Sequence, residues 1–123
     1  MAGKRILVIE DDSANLRLML LLLNAAGHRA SGAANGESGL AAMRQDLPDL
    51  VLCDGCLPDI DGFEVIGRVR ADAGLARVPV IAVTGLARSG ETDRLLAAGF
   101  DGCIGKPFDI KTFAADVGRF LER

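Results

Sequence analysis

In the stretch CDGCLPDIDG, Cys53 and Cys56 frame Asp54. The C-x-x-C spacing suits a redox couple or half of a zinc site. The carboxylate between the thiols suits cation binding or nucleophilic attack. Other reactive side chains lie far away in the chain. Glu10, Asp11 and Asp12 follow the apolar run ILVI, Thr84 follows VIAV, and Lys106 with Pro107 follows DGCIG. Only a fold that gathers these residues can decide between sulfur and carboxylate chemistry.

The elements that must position them are legible as alternating runs. ILVI (residues 6–9), LVLC (50–53) and VIAV (80–83) are continuously apolar. Such runs fit strands of a parallel sheet buried on both faces. RASGAA (29–34) and DGCIG (101–105) are weaker candidates for the two remaining strands. Helical patterns lie between and after them. ANLRLMLLLLNAA runs to Gly27, GESGLAAMRQD stops before Pro48, and DGFEVIGRVRADAG spaces Phe63, Ile66 and Val69 or Arg70 on one side. GETDRLLAAGF and DIKTFAADVGRFLER supply two more. Five strand–helix repeats predict a doubly wound α/β fold with right-handed crossovers, in one domain spanning 1–123.

In this architecture functional groups collect at the carboxyl ends of the strands. Glu10, Asp11, Asp12, Asp54, Thr84 and Lys106 all fall there. Clustered carboxylates repel by about 4 kcal/mol at about 4 Å near a protein surface. A hard divalent cation relieves that repulsion, and Mg²⁺ takes oxygen ligands from carboxylates, water and phosphate. Acids beside a lysine and a hydroxyl therefore suit a cation and a phosphoryl group together. One carboxylate is left to act as nucleophile and form an acyl phosphate.

Composition narrows the classes. The 123 residues carry a formal charge of −3 and are 50% hydrophobic. No basic block appears, so nucleic-acid binding by this chain alone is not expected. The apolar run LMLLLLNAAG is too short to cross a bilayer, and the N-terminus runs straight into acids. A cytoplasmic protein with reduced thiols and no membrane insertion is the expectation.

The pieces ILVIEDD, PDLVLCDGCLPDIDGFEV, VPVIAVTG and AGFDGCIGKPF, in this order and spacing, resemble the receiver domain of bacterial two-component response regulators. The resemblance runs from about Lys4 to the C-terminus. It implies a flavodoxin-like five-stranded parallel sheet of order 2-1-3-4-5 with five helices. It implies that Asp54 accepts the phosphoryl group. Asp11, Asp54 and the main-chain carbonyl of Cys56 would bind Mg²⁺, and Glu10 would act through water. Lys106 would pair with the phosphate, Thr84 would turn toward it, and the Lys106–Pro107 bond would be cis. Counting from the end of ILVI makes Glu10 and Asp11 the acidic pair and leaves Asp12 or Ser13 as a helix N-cap.

Partners follow from the same resemblance. A histidine kinase or phosphotransfer protein would donate the phosphoryl group, and a downstream protein would read it. The first helix is apolar nearly all round, so Leu18 and Leu22 are either deeply covered or part of a docking surface for the donor. The chain reaches Arg123 just past the fifth helical pattern, so a stand-alone receiver without an output domain is expected. The alternative is a segment of a hybrid kinase or larger regulator.

The other readings are weaker. Cys53 finishes a buried strand rather than opening a helix, so a C-x-x-C redox module is disfavoured. A zinc site lacks ligands, because only Cys103 and His28 remain. An aspartyl-phosphatase would need a second Asp two residues after the nucleophile, where Cys56 stands, so no turnover enzyme is expected. Cys56 and Leu86 occupy positions that influence acyl-phosphate hydrolysis in the family. Asp59 and Asp61 read as solvated turn residues. Cys103 replaces the aromatic ring usual three residues before the lysine. That leaves Thr84 and its glycine-flanked loop, Phe100 or Phe108 to couple phosphorylation to output.

Overall fold

The chain, seen in a computed structural model that describes residues 3–85 and 91–122, alternates strand and helix throughout. Strands β1 (Arg5–Ile9), β2 (Arg29–Ala33), β3 (Leu50–Asp54), β4 (Val80–Thr84) and β5 (Gly102–Gly105) form one parallel sheet of order β2-β1-β3-β4-β5. Helices α1 (Ser13–Ala25), α2 (Gly36–Gln45), α3 (Gly62–Ala71), α4 (Thr92–Ala98) and α5 (Phe113–Leu121) cover it.

Alternation within the strands builds two cores. Leu7, Ile9, Val51, Cys53, Val80 and Ala82 point to the face covered by α2, α3 and α4, where they meet Leu40, Met43, Val65, Ile66, Val69 and Leu95. Ile6, Val8, Leu50, Leu52, Ile81 and Val83 point to the other face, against Met19 and Leu23 of α1 and Phe113 and Val117 of α5. Burial on both faces is why β1, β3 and β4 read as unbroken apolar runs. β2 lies at an edge and buries only Ala33 fully, which explains its weak signal.

Helix ends follow their residues. Asp12 caps α1, accepting the N–H groups of Ala14 and Asn15 at 3.0 Å. Asn35 caps α2, and Gly62 is the first residue of α3. The two Ala-Ala-Gly endings place Gly27 and Gly99 at φ +95° and +118°, where a side chain would be strained. Two expectations need correction. Asp61 is the N-cap of α3, accepting Glu64 N–H at 2.8 Å, and Asp59 accepts Gly36 N–H and Glu37 N–H at the start of α2. Neither is a merely solvated turn residue, because exposed main-chain donors at helix starts recruit the nearest acid.

The leucines of α1 divide between the two readings offered for them. Met19 and Leu23 are buried, Leu16, Leu20 and Leu22 lean on the core, and Leu21 is 66% exposed. No helix among the described residues is long and apolar enough to cross a membrane.

Candidate functional site

Strand register brings the reactive residues to one level. Ile9 pairs with Cys53, so Glu10 comes level with Asp54 at the junction of β1 and β3. Asp54 pairs with Val83, and Thr84 pairs with Gly105, which sets Lys106 just beyond Thr84. Lys106 N–H closes the corner by donating to Thr84 O at 3.2 Å. β1 lies between β2 and β3, so this is a point where the winding of the sheet reverses, the place where open α/β sheets form crevices.

Glu10, Asp11 and Asp54 each offer a carboxylate oxygen within 4.8 Å of the others. Glu10 and Asp54 are buried, and Asp11 is open to solvent. Such a set of hard oxygen donors with one open side fits Mg²⁺, which keeps waters and adds substrate oxygens. Asp12, by contrast, is occupied as the cap of α1.

Lys106 supplies the positive charge among these acids. Its Nζ donates to Glu10 Oε1 at 2.6 Å and stands 3.3 Å from Asp54 Oδ2. Burial raises the Glu10 carboxyl above the usual glutamate value, and the charge of Asp54 adds to this. Hydrogen bonds from Lys106 and from Asp12 N–H pull the other way without cancelling it. Burial also works against the Lys106 ammonium. The Glu10 hydrogen bond and the charges of Asp54 and Glu10 outweigh it, so the lysine is held above its usual value. The direct Lys106–Glu10 pair has no signal in the sequence, where Lys106 reads as a phosphate contact and Glu10 as a water-mediated ligand.

The loop after β3 completes the surroundings. Cys56 N–H donates to Asp54 Oδ1 at 3.1 Å, so the main chain of Cys56 lies against the carboxylate, while the residue itself is exposed. Thr84 is 3% exposed, and a Cβ placed on Gly55 would stand 3.0 Å from its hydroxyl oxygen. The structure thus brings together Glu10, Asp11, Asp54, Cys56, Thr84 and Lys106. The Lys106–Pro107 peptide is cis. Leu86 and Gly90 lie outside the described residues.

Sulfur chemistry finds no support in this geometry. Cys53 is fully buried, its S–H directed to Asp54 O at 3.4 Å, and burial pushes its thiol far up, so a thiolate is suppressed. Cys103 is half-buried, 3.9 Å from Thr92 Oγ1 of α4. Phe100 is buried with its ring edge-on to Phe63 at 6.2 Å, and Phe108 packs on Phe113 at 4.5 Å.

Comparison with known proteins agrees with the geometry. The response regulator receiver domain family matches residues 6–117. The polar-differentiation response regulator DivK of Brucella anthropi is 33% identical over 118 residues, covering 96% of each chain. Among solved structures, the receiver domain of a Pseudomonas aeruginosa sensor histidine kinase superposes with a TM-score of 0.88 at 30% identity. The match covers 99% of this chain and 100% of that one. That structure holds a magnesium ion in its active-site cleft. The receiver domain of a Syntrophus aciditrophicus histidine kinase gives 0.86 at 27% identity, covering 98% and 91%. The order of the strands, the family match across nearly the whole chain and these relatives lead to one assignment: the chain belongs to the receiver domain family of two-component response regulators.

Proposed function

We propose that this receiver takes a phosphoryl group on Asp54 from a phosphohistidine and signals through the modified state. The observation that carries the reading is the convergence of three carboxylates and one ammonium at the end of β3. An Asp54 carboxylate oxygen attacks phosphorus, the phosphorus–nitrogen bond of the donor breaks, and the electron pair leaves with the imidazole, which takes a proton from water. Glu10, Asp11, Asp54 and the Cys56 carbonyl are the proposed Mg²⁺ ligands, Glu10 through water. Bound Mg²⁺ supplies positive charge to the phosphoryl oxygens as charge redistributes. Lys106 is 21% exposed and stands beside Asp54, close enough to pair with a phosphoryl oxygen in the product. The Thr84 hydroxyl, beside Gly55, donates to another. The chain promotes its own modification in this way and is a signalling module rather than a turnover enzyme.

Histidine kinases or phosphotransfer proteins are the partners of receiver domains, and we place the donor on α1. A groove of about 380 Å³ lined by Asn15, Leu18, Lys106, Pro107, Phe108 and Ile110 opens beside the reactive lysine. Ile110 is 57% exposed. Leu18 lines the groove directly, whereas Leu22 leans on the core and shapes the same helix face.

Intact-mass measurement with acetyl phosphate and MgCl₂ tests the central assignment. One phosphate adduct is expected, absent from Asp54→Asn and after chelation of the cation. An adduct that persists in Asp54→Asn overturns it. Leu18→Glu should slow transfer from a phosphohistidine partner while leaving labelling by acetyl phosphate intact.

A further inference from the structure

The loop between β3 and α3 carries Cys56, whose main-chain N–H meets the Asp54 carboxylate. Its base is closed by Gly62 N–H donating to Gly55 O at 3.1 Å. Its tip is tied to another element. The Asp59 carboxylate accepts Gly36 N–H and Glu37 N–H of α2, each at 2.8 Å. Beside it, Ile60 packs so closely that a Cβ on Gly36 would stand 2.4 Å from Ile60 Cγ1. α2 has its own cap, because Asn35 accepts Ser38 N–H at 2.8 Å and the Ser38 hydroxyl oxygen accepts Asn35 N–H. That cap leaves the Gly36 and Glu37 N–H groups open, and Asp59 satisfies both from a different segment, so the bonds that complete the start of α2 also tie the loop to it.

We propose that Asp59 is a positioning residue for cation binding: it latches the β3–α3 loop to the start of α2 and so holds the Cys56 main chain against Asp54. The inference rests on reading Glu10, Asp11 and Asp54 as a cation site. Asp59 touches neither the carboxylates nor a reacting atom. Its effect is to spare the site the ordering of a loop each time a cation binds. Charge on the acceptor and the positive end of α2 both strengthen the latch. The tight Gly36–Ile60 contact fixes where along α2 the tip can sit.

Titration of ¹⁵N-labelled protein with MgCl₂, followed by amide chemical shifts, tests this. Asp59→Ala should raise the Mg²⁺ dissociation constant about tenfold, the equivalent of ordering roughly one more loop residue on binding. Asp59→Asn, which keeps one acceptor oxygen, should raise it less. Asn35→Ala removes the cap of α2 while leaving the latch, and should bind as the unaltered chain does. An unchanged constant in Asp59→Ala, or equal weakening in Asn35→Ala, overturns the positioning role. If Asp59→Ala is too unstable to titrate, Asp59→Asn decides alone by the same criterion. A lack of any Mg²⁺ response at Asp11 and Asp54 in the unaltered chain overturns the cation reading and the inference with it.

Discussion

Lys106 is bound to Glu10 more closely than to Asp54, at 2.6 Å against 3.3 Å. Glu10 is 1% exposed, so its charge has little access to water and depends on the ammonium. Removing one partner of such a pair leaves the other charge uncompensated unless it takes a proton. Lys106→Ala should therefore lower the stability of the cation-free protein by about 1–3 kcal/mol near pH 8.

The same variant should show a pH dependence of definite sign. A lysine held above its usual value contributes fully below pH 10.5 and loses its contribution only above that. Glu10 is held above 4.5 in the folded chain, so folding becomes less favourable as pH climbs through the window above 4.5. Deleting Lys106 moves that window further up. The stability gap between the variant and the unaltered chain should shrink as pH falls from about 8 toward 4.5 and Glu10 takes up its proton. Urea midpoints at the two pH values measure it, and a constant gap would mean Glu10 does not depend on Lys106.

Two glycines of α3 should respond to alanine with opposite signs. A Cβ on Gly62 would meet Asp54 O at 2.9 Å and Gly55 Cα at 3.0 Å, and both are main-chain atoms that cannot turn aside. Gly62→Ala should cost about 1–3 kcal/mol and disturb the loop at Asp54. Gly67 is exposed, and nothing lies within 4 Å of the point where an alanine methyl would stand. Gly67→Ala should stabilise by about 0.4–1 kcal/mol. Thermal unfolding of both variants checks the pair, and two losses or two gains would contradict the geometry.

The site is more legible in the sequence than the devices that hold it. Asp54 and Thr84 announce themselves because each terminates a strand whose apolar run is readable by itself, whereas Lys106 follows the weaker run of β5 and stands out through the Lys-Pro step. The three acids after β1 are harder. Counting from Ile9 picks Glu10 and Asp11, the two whose carboxylates come close to that of Asp54, because the placement of β1 beside β3, not acidity, decides which acids meet it. Asp59 cannot be separated from a solvated turn acid, since its N–H partners lie on α2, which only the packed fold brings beside it. Asp61 is legible, because its partner is Glu64 N–H three residues on, and Asp-x-x-Glu is a local helix-start pattern. Leu21 and Leu23 are chemically identical, and only the rotation of α1 on the sheet leaves one 66% exposed and buries the other.

Asp59 gives an acid-limb prediction. Its carboxyl is lowered from 3.8 to about 2: desolvation opposes the shift, but the N–H groups of Glu37 and Gly36 overcome it. A carboxyl lowered on folding contributes stability that is present above its unfolded value and lost as pH falls through the folded one. Stability should therefore drop between about pH 4 and pH 2 partly through this group. Asp59→Asn should flatten that part of the profile and leave the profile above pH 4 parallel to that of the unaltered chain. Equilibrium unfolding across the acid range measures it, and an unaltered slope below pH 4 in the variant would count against the latch.

Arg70, at the end of α3, gathers more of the fold than its sequence position suggests. Its guanidinium donates to Gly99 O at 2.8 and 3.0 Å, to Ala76 O at 3.0 Å, to Val78 O at 2.7 Å and to Asp101 Oδ2 at 2.7 Å. The same Asp101 oxygen accepts Val80 N–H at 2.8 Å. One side chain thus joins the end of α3, the segment entering β4, the left-handed end of α4 and the start of β5. This needs a planar fork with donors in several directions, which an ammonium does not have. Arg70→Ala should cost about 2–3 kcal/mol, and Arg70→Lys should recover less than half of that although it keeps the charge. Asp101→Asn should cost less than either, because the carbonyl bonds of Arg70 survive. If Arg70→Lys were as stable as the unaltered chain, charge rather than fork geometry would be holding these segments, and the carbonyl contacts would be incidental.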